Sequence, residues 1–435
     1  MYNRNIITEE RLASLAKIRE AERENNFKSL AKIMGDDAAN EMRKIYSAYT
    51  EKMLIWYAGL WAPEVGGFYF SNSARDTEGF LPDVESTAQA VKFIAAECLG
   101  ENGGTDNIYI PYIPERFASK MADFAYSLQD EDGYFYHEQW GKNISITRRG
   151  RDIGWARRLI RPLGRETKYP LPTERKAENG EKPTLPEHFL SIDAYREWLT
   201  HRDLATKSYP IGNLINSIGG MIRAAGPEFV KLTVDWLNEH QRADNGLWEP
   251  QINYASVNGL MKLGLTYPGL GATLPYPEKS FESAIAAVTS DEPITFACEI
   301  YNAWAAANGV IRCLYFANDE ETVKKLRKTL FDNAAEMIRI TGEKLMSTAC
   351  DDGSFAYFSK DSGKFCPTSQ GARVSPDNIR EGDINGNGCS TTAPLTHMFE
   401  TFGVKKPPMF TKADAEFLFE LMDAKNHTKK IYPKT

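Results

Sequence analysis

The chain has 435 residues, 42% hydrophobic and 26% charged, with 20 Tyr, 22 Phe and 8 Trp, a composition that marks a globular protein with a large buried core. Its net charge of −7 argues against a general binder of nucleic acid or of anionic membranes, because such binders need positive charge to displace counterions from phosphates. Cys98, Cys298, Cys313, Cys350, Cys366 and Cys389 are scattered without a Cys-x-x-Cys pair, which excludes a disulfide framework or a zinc clip as the organising device.

The first residues are dense in charge and hold no apolar signal core, and no apolar run reaches membrane-spanning length, so a cytoplasmic protein without membrane contact is expected. Residues 1–35 read as a helical extension and 36–435 as one domain, since a repeat architecture can hold this much chain around a single core. Four segments resemble one another: GGFYFS at 66–71, QDEDGYFYHEQW at 129–140, QRADNGLWEP at 241–250 and CDDGSFAYF at 350–358. Each places a glycine after acidic or polar turn residues or another glycine, with an aromatic within two positions beyond it, the chemistry of a helix stop followed by a packing wedge. The markers Gly67, Gly133, Gly246 and Gly353 are spaced 66, 113 and 107 residues apart, and the last two intervals are close to twice a period in the fifties. That period fits a helical pair, with further turns expected near 190 and 300.

Helices with apolar residues at three and four spacing are expected before the markers, over 41–61, 116–129, 228–241 and 330–346. The segments that follow, 84–99, 253–267 and 390–402, carry less charge and more small residues, the pattern of an inner helix after an outer one. Further helices are expected at 190–201, 210–225 and 296–317, with β-structure limited to short ribbons after the glycines. Residues 143–186, rich in Pro, Gly and Arg, read as a long inserted loop. Arg148 to Lys176 alone holds ten basic residues against three acidic ones, and such an excursion is more often a lid or binding loop than an idle linker.

Gln129 to Phe135 follows the pattern Gln, three residues, Gly, one residue, aromatic, and Gln241 to Trp248 follows it with one extra residue. These turns, with Pro82 to Ala90 as the start of an inner helix, resemble the glutamine-and-tryptophan repeats of the terpenoid cyclase and protein prenyltransferase superfamily. The resemblance spans roughly residues 40 to 405 and implies an all-α fold, an (α/α)6-type toroid of helix hairpins. The Asp-x-Asp-Asp run of the cyclases and a zinc triad of the prenyltransferases are both missing, so the resemblance carries architecture more than chemistry.

The strongest site candidate is the segment containing Tyr136, His137, Trp140, Arg148, Arg149 and Arg151. Aromatic faces stack on sugar rings and Arg grips carboxylates through two parallel hydrogen bonds, which together suit an acidic carbohydrate. His137 or Tyr136, the latter if an adjacent Arg lowers its pKa, would carry the proton. The alternative is a set of core wedges beside a solvated basic face. A second cluster holds Glu249 as an acid or nucleophile, with Trp248, Asn253, Tyr254 and Asn258 as binding groups, against the alternative that Asn253 only caps a helix. Asp83 with Glu85 could work as a carboxylate pair, although Asp83 is also a natural helix cap. Asp383, Asn385, Asn387 and His397 lack the later bidentate Glu of a calcium loop, so no metal and no cofactor are expected.

These readings lead to a carbohydrate-active enzyme that cleaves a small-molecule, uronate-containing oligosaccharide by β-elimination or hydrolysis, with no nucleic-acid partner. An isoprenoid enzyme of the resembled superfamily and a non-catalytic glycan or peptide binder are the alternatives.

Overall fold

The computed structural model describes residues 6–104, 106–172, 174 and 186–425. The structure is mostly helical. It opens with α1 (Glu9–Met34), α2 (Asp36–Ser47) and α3 (Glu51–Leu60), then a ribbon pairing β1 (Trp61–Ala62) with β2 (Gly67–Phe68). There follow α4 (Asn72–Asp76), α5 (Val84–Phe93), which runs on through a π-turn over Ile94–Cys98, α6 (Glu115–Ser127), α7 (Ile146–Ile160) and α8 (Ile192–Thr200). Next come α9 (Leu204–Ala225), α10 (Pro227–His240), α11 (Tyr254–Gly269), α12 (Pro277–Val288), α13 (Ala297–Phe316), α14 (Glu320–Asp332) and α15 (Ala334–Met346). The ribbon of β3 (Thr368–Ser369) with β4 (Ala372–Arg373) precedes α16 (Ile384–Ser390), α17 (Thr392–Phe402) and α18 (Lys412–Lys425).

The helices divide into two kinds, as their charge content implies. Along α13, Ile300, every residue from 302 to 311, and Leu314 are buried, with Arg312 exposed near its end, whereas α14 buries only the stripe Val323, Leu326 and Leu330. A helix apolar on all sides must be surrounded by others, and one with a single apolar stripe lies outside. The buried helices contact one another in series: α9 with α11, α11 with α13, α13 with α16 and α17, α16 with α5, and α5 with α7. α12 and α14 pack onto α13 from outside, and α15 lies against α2.

The extension packs on this body. Arg19 of α1 reaches Asp414 of α18 at 3.1 Å and Glu51 at 3.2 Å, and Arg23 donates to the carbonyls of Tyr46, Tyr49 and Met409.

Two expectations are corrected. The stretch read as an inserted loop contains a regular helix, α7, begun by the Ser145 side chain accepting from the Arg148 amide and held by Ile153, Ala156, Leu159 and Ile160 at helical spacing. Its arginines hid that spacing. Of the remainder, residues 173 and 175–185 lie outside the described residues.

The marker glycines do not end the helices themselves. They close tight turns just beyond them, and short bridges link Gln129 with Phe135 and Ala349 with Phe355 across those turns. Gly133, Gly246 and Gly353 have φ of +87°, +67° and +84°, whereas in the first segment the left-handed residue is Gly66 at +85° and not Gly67. The glutamine of the motif ties the turn together: Gln129 donates to the Gly133 carbonyl at 3.2 Å and Gln241 to the Gly246 carbonyl at 2.8 Å.

Candidate functional site

The sequence-selected residues around α7 do assemble, but as a closed network. Arg148 is fully buried. Its guanidinium donates to Asp152 Oδ1 at 2.8 Å, Asp83 Oδ1 at 2.8 Å and the Ser369 carbonyl at 3.0 Å, and it lies 3.1 Å from Glu85 Oε2. It also lies over the Trp140 ring at 5.1 Å. Burial alone would lower its pKa, but the three carboxylates outweigh burial and keep it charged. Asp83 caps α5 by accepting from the amides of Glu85 and Ser86 at 3.0 and 3.1 Å. Arg151 closes the group on Glu85 Oε1 at 2.5 Å.

His137 is buried against Trp140, and its Nε2 accepts from the Val84 amide at 3.4 Å. Burial first, then the Arg148 charge, push its pKa well down, so the ring is neutral. The expected lowering of Tyr136 is reversed. Burial and the hydrogen bond its hydroxyl donates to Asp132 at 2.8 Å raise it to about 12, despite Arg149 at 5.6 Å from the ring. Arg149 spends its donors on the carbonyls of Ile144 and Lys142.

The second predicted cluster is architectural where it is closest packed. Trp248 is 2% exposed and donates to the Leu237 carbonyl at 2.9 Å, so it presents no face to a sugar. Asn253 caps α11 in a reciprocal capping box with Ser256. The Tyr254 hydroxyl donates to the Glu292 carbonyl at 3.1 Å and accepts from Lys344 at 2.6 Å. Glu249 Oε1 accepts from the amide and hydroxyl of Ser208 at 2.9 and 2.6 Å. Asn258 is half-buried, and its Oδ1 has no hydrogen-bond partner among the described residues. Asp383 caps α16 through the Gly386 amide at 2.6 Å and accepts from the Tyr357 amide at 2.8 Å. Among the described residues no three His, Cys, Asp or Glu side chains gather as metal ligands.

The open space lies elsewhere. A cavity of about 1160 Å3 is walled by residues of α5, α7, α13 and α17 and by residues 404–406 and 408. Lys92, Arg158 and Arg312 line it, one from each of three helices, and among the described residues none of them has a hydrogen-bond or ion-pair partner. Arg158 lies over Trp155, 5.0 Å from the ring. Glu101 and Glu400 are the lining carboxylates.

No known protein family, characterised protein or solved structure matches the chain. The chemistry of the cavity therefore has to speak for itself.

One wall is organised around Asn308. Its amide donates to Glu400 Oε2 at 2.5 Å and to His397 Nδ1 at 3.1 Å, which leaves the ring proton of a neutral His397 on Nε2. Burial, then the charges of Lys92 and Arg312, lower His397 to about 4. Tyr301 stacks on that ring, 5.5 Å between centroids. The wall thus offers a neutral N–H donor, a carboxylate, an aromatic hydroxyl and free cations.

Sequence reasoning placed His397 in a metal candidate and passed over Lys92, Trp155, Arg158, Tyr301, Asn308 and Arg312. A signal existed in α13, where Asn308 and Arg312 lie four residues apart in a helix otherwise nearly free of charge.

Proposed function

We propose that the chain is an α/α toroid whose buried helices close around this cavity, and that it is a carbohydrate-active enzyme acting on uronate-containing oligosaccharides. The observation that carries the reading is the trio Lys92, Arg158 and Arg312, three cations lining one cavity without partners among the described residues. Holding like charges together without counter-ions is unfavourable, and an anionic ligand removes that cost. Trp155 and Tyr301 supply flat apolar faces for sugar rings in the same space.

The elimination route suits these groups better than the hydrolytic one. An Arg158 or Arg312 guanidinium that pairs with the uronate carboxylate stabilises the negative charge built up when the adjacent carbon loses its proton. Glu400 is placed to take that proton, and the His397 Nε2–H to hydrogen-bond a ring or leaving-group oxygen. The charged lining weighs against carbocation chemistry, which needs a dry apolar chamber, and so against an isoprenoid enzyme.

The test is incubation of purified protein with uronic-acid oligosaccharides, followed at the ultraviolet band of unsaturated products and by reducing ends. Unsaturated product from the wild type and its loss in Arg158→Gln are expected. Release of neither product across an acidic-glycan panel overturns the enzyme reading, and binding without release makes the chain a glycan binder.

A further inference from the structure

Lys92 differs from Arg158 and Arg312 in being an amine. It projects from α5 into the cavity wall, and the charged and titratable groups acting on it are Glu97, Glu400, Cys389 and Arg158. Both carboxylates already have another partner. Glu97 is held through both oxygens by Lys406, at 2.8 and 2.6 Å, and Glu400 is engaged by Asn308. Burial is the largest influence on the amine and lowers its pKa against the opposing pull of Glu97, and Arg158 lowers it further. A desolvated lysine beside a second cation is the arrangement that releases a neutral, nucleophilic amine near physiological pH.

We infer that Lys92 captures an anionic carbonyl compound, an aldehyde or ketone that carries a carboxylate, as an imine, while Arg158 and Arg312 hold the carboxylate. The amine nitrogen attacks the carbonyl carbon, and the C–O π pair moves onto oxygen. A proton passes from nitrogen to oxygen, and the carbinolamine then expels water as the C–N double bond forms. Amine and carbonyl become imine and water with no change of oxidation state. The inference rests on the anion-binding part of the function proposed above and does not require that a glycosidic bond be cleaved. It assigns the cavity a ligand class: acidic sugars in their open-chain form, or 2-oxo acids.

The experiment uses the full chain with glyoxylate and cyanoborohydride at neutral pH, and peptide mapping of the carboxymethyl group left on each lysine. Lys92 is expected to label several-fold faster than the exposed Lys328, because a lowered pKa leaves more of the amine unprotonated at neutral pH. Arg158→Gln should slow labelling of Lys92 and leave Lys328 unchanged. Equal labelling of Lys92 and Lys328 in the wild type overturns the imine. Calorimetric titration with methyl glucuronide, which has no free carbonyl, separates the premises. Saturable binding with equal labelling removes the imine alone, and absence of both removes the anion-binding reading as well.

Discussion

Two groups of cations sit in this molecule in opposite circumstances. Arg148 is fully buried, with every arm of its guanidinium on an acceptor and carboxylates from α5 and α7 around it. Lys92, Arg158 and Arg312 face a cavity with no such partners among the described residues. The first arrangement uses its charge to hold helices together, and the second has no protein partner for its charge among the described residues, which is why we propose an anionic ligand for it. A run of arginines in the sequence gives no hint of which is which, because the deciding carboxylates of Arg148 lie 65 and 63 positions upstream, at Asp83 and Glu85.

The comparison breaks most visibly at Arg148. Replacement by Met leaves Asp83 and Asp152 clustered out of water without their counter-ion and Glu85 with Arg151 alone. Removing one partner of a buried pair costs about 3–5 kcal/mol. Urea denaturation of Arg148→Met should show a loss of that order, larger at pH 8 than at pH 5 because Asp152, pushed up to about 7 chiefly by burial, takes up a proton between those values. A variant as stable as the wild type would mean that the network holds nothing together.

The opposite outcome is expected at Arg158. Arg158→Gln removes a charge that has no partner, so stability should hold or rise, while affinity for a uronate oligosaccharide falls by about ten- to a hundredfold, the worth of one charge-assisted hydrogen bond. Calorimetry checks the second effect and thermal melting the first. A destabilised Arg158→Gln with unchanged affinity would exchange the roles of the two groups.

Much of the scaffold was legible. The 3.6-residue periodicity located many of the helices, though not α7, α12, α14 or α18, and Asp83 and Asn253 cap α5 and α11 as small polar residues before apolar runs do. The Gln–Gly turns were legible because their parts are contiguous in sequence. The cavity was not, since each of its cations reads singly as a solvated residue and only packing brings α5, α7 and α13 to one cavity. Tyr136 shows the same limit on a smaller scale. Arg149 and Asp132 both neighbour it, and geometry alone decides that the Asp132 hydrogen bond outweighs the arginine.

A smaller effect concerns acid. In the unfolded chain His397 takes up a proton near 6.5 and in the folded protein near 4, so between those values the unfolded state binds more protons. The stability this contributes is complete above pH 6.5 and is lost as pH falls towards 4. The loss is about 1–2 kcal/mol once partial contact with solvent is allowed for. His397→Asn should flatten that part of the pH–stability curve. A bound anion draws the proton on at higher pH, so uronate affinity should strengthen between pH 7 and pH 5 in the wild type and stay level in the variant. An unchanged slope in both measurements would place His397 outside the electrostatics of the cavity.

The smallest effect sharpens the comparison from the structural side. Asn253 was a candidate for gripping a carboxylate, but its side chain accepts from the Ser256 amide at 2.9 Å and the Ser256 hydroxyl lies 3.1 Å from its own amide, which commits both to starting α11. Asn253→Ala should cost about 1 kcal/mol, the usual worth of such a cap, read as a shift in urea midpoint with an unchanged m-value. Affinity for the acidic ligand should be untouched, because α11 is not among the helices that wall the cavity. Asn308→Ala is the matched control on α13: it frees both His397 and Glu400 and should weaken binding while melting close to the wild type. If instead Asn253→Ala impaired binding and Asn308→Ala did not, the anion would have to sit at the start of α11, and the unpaired cations of the cavity would be left without a purpose.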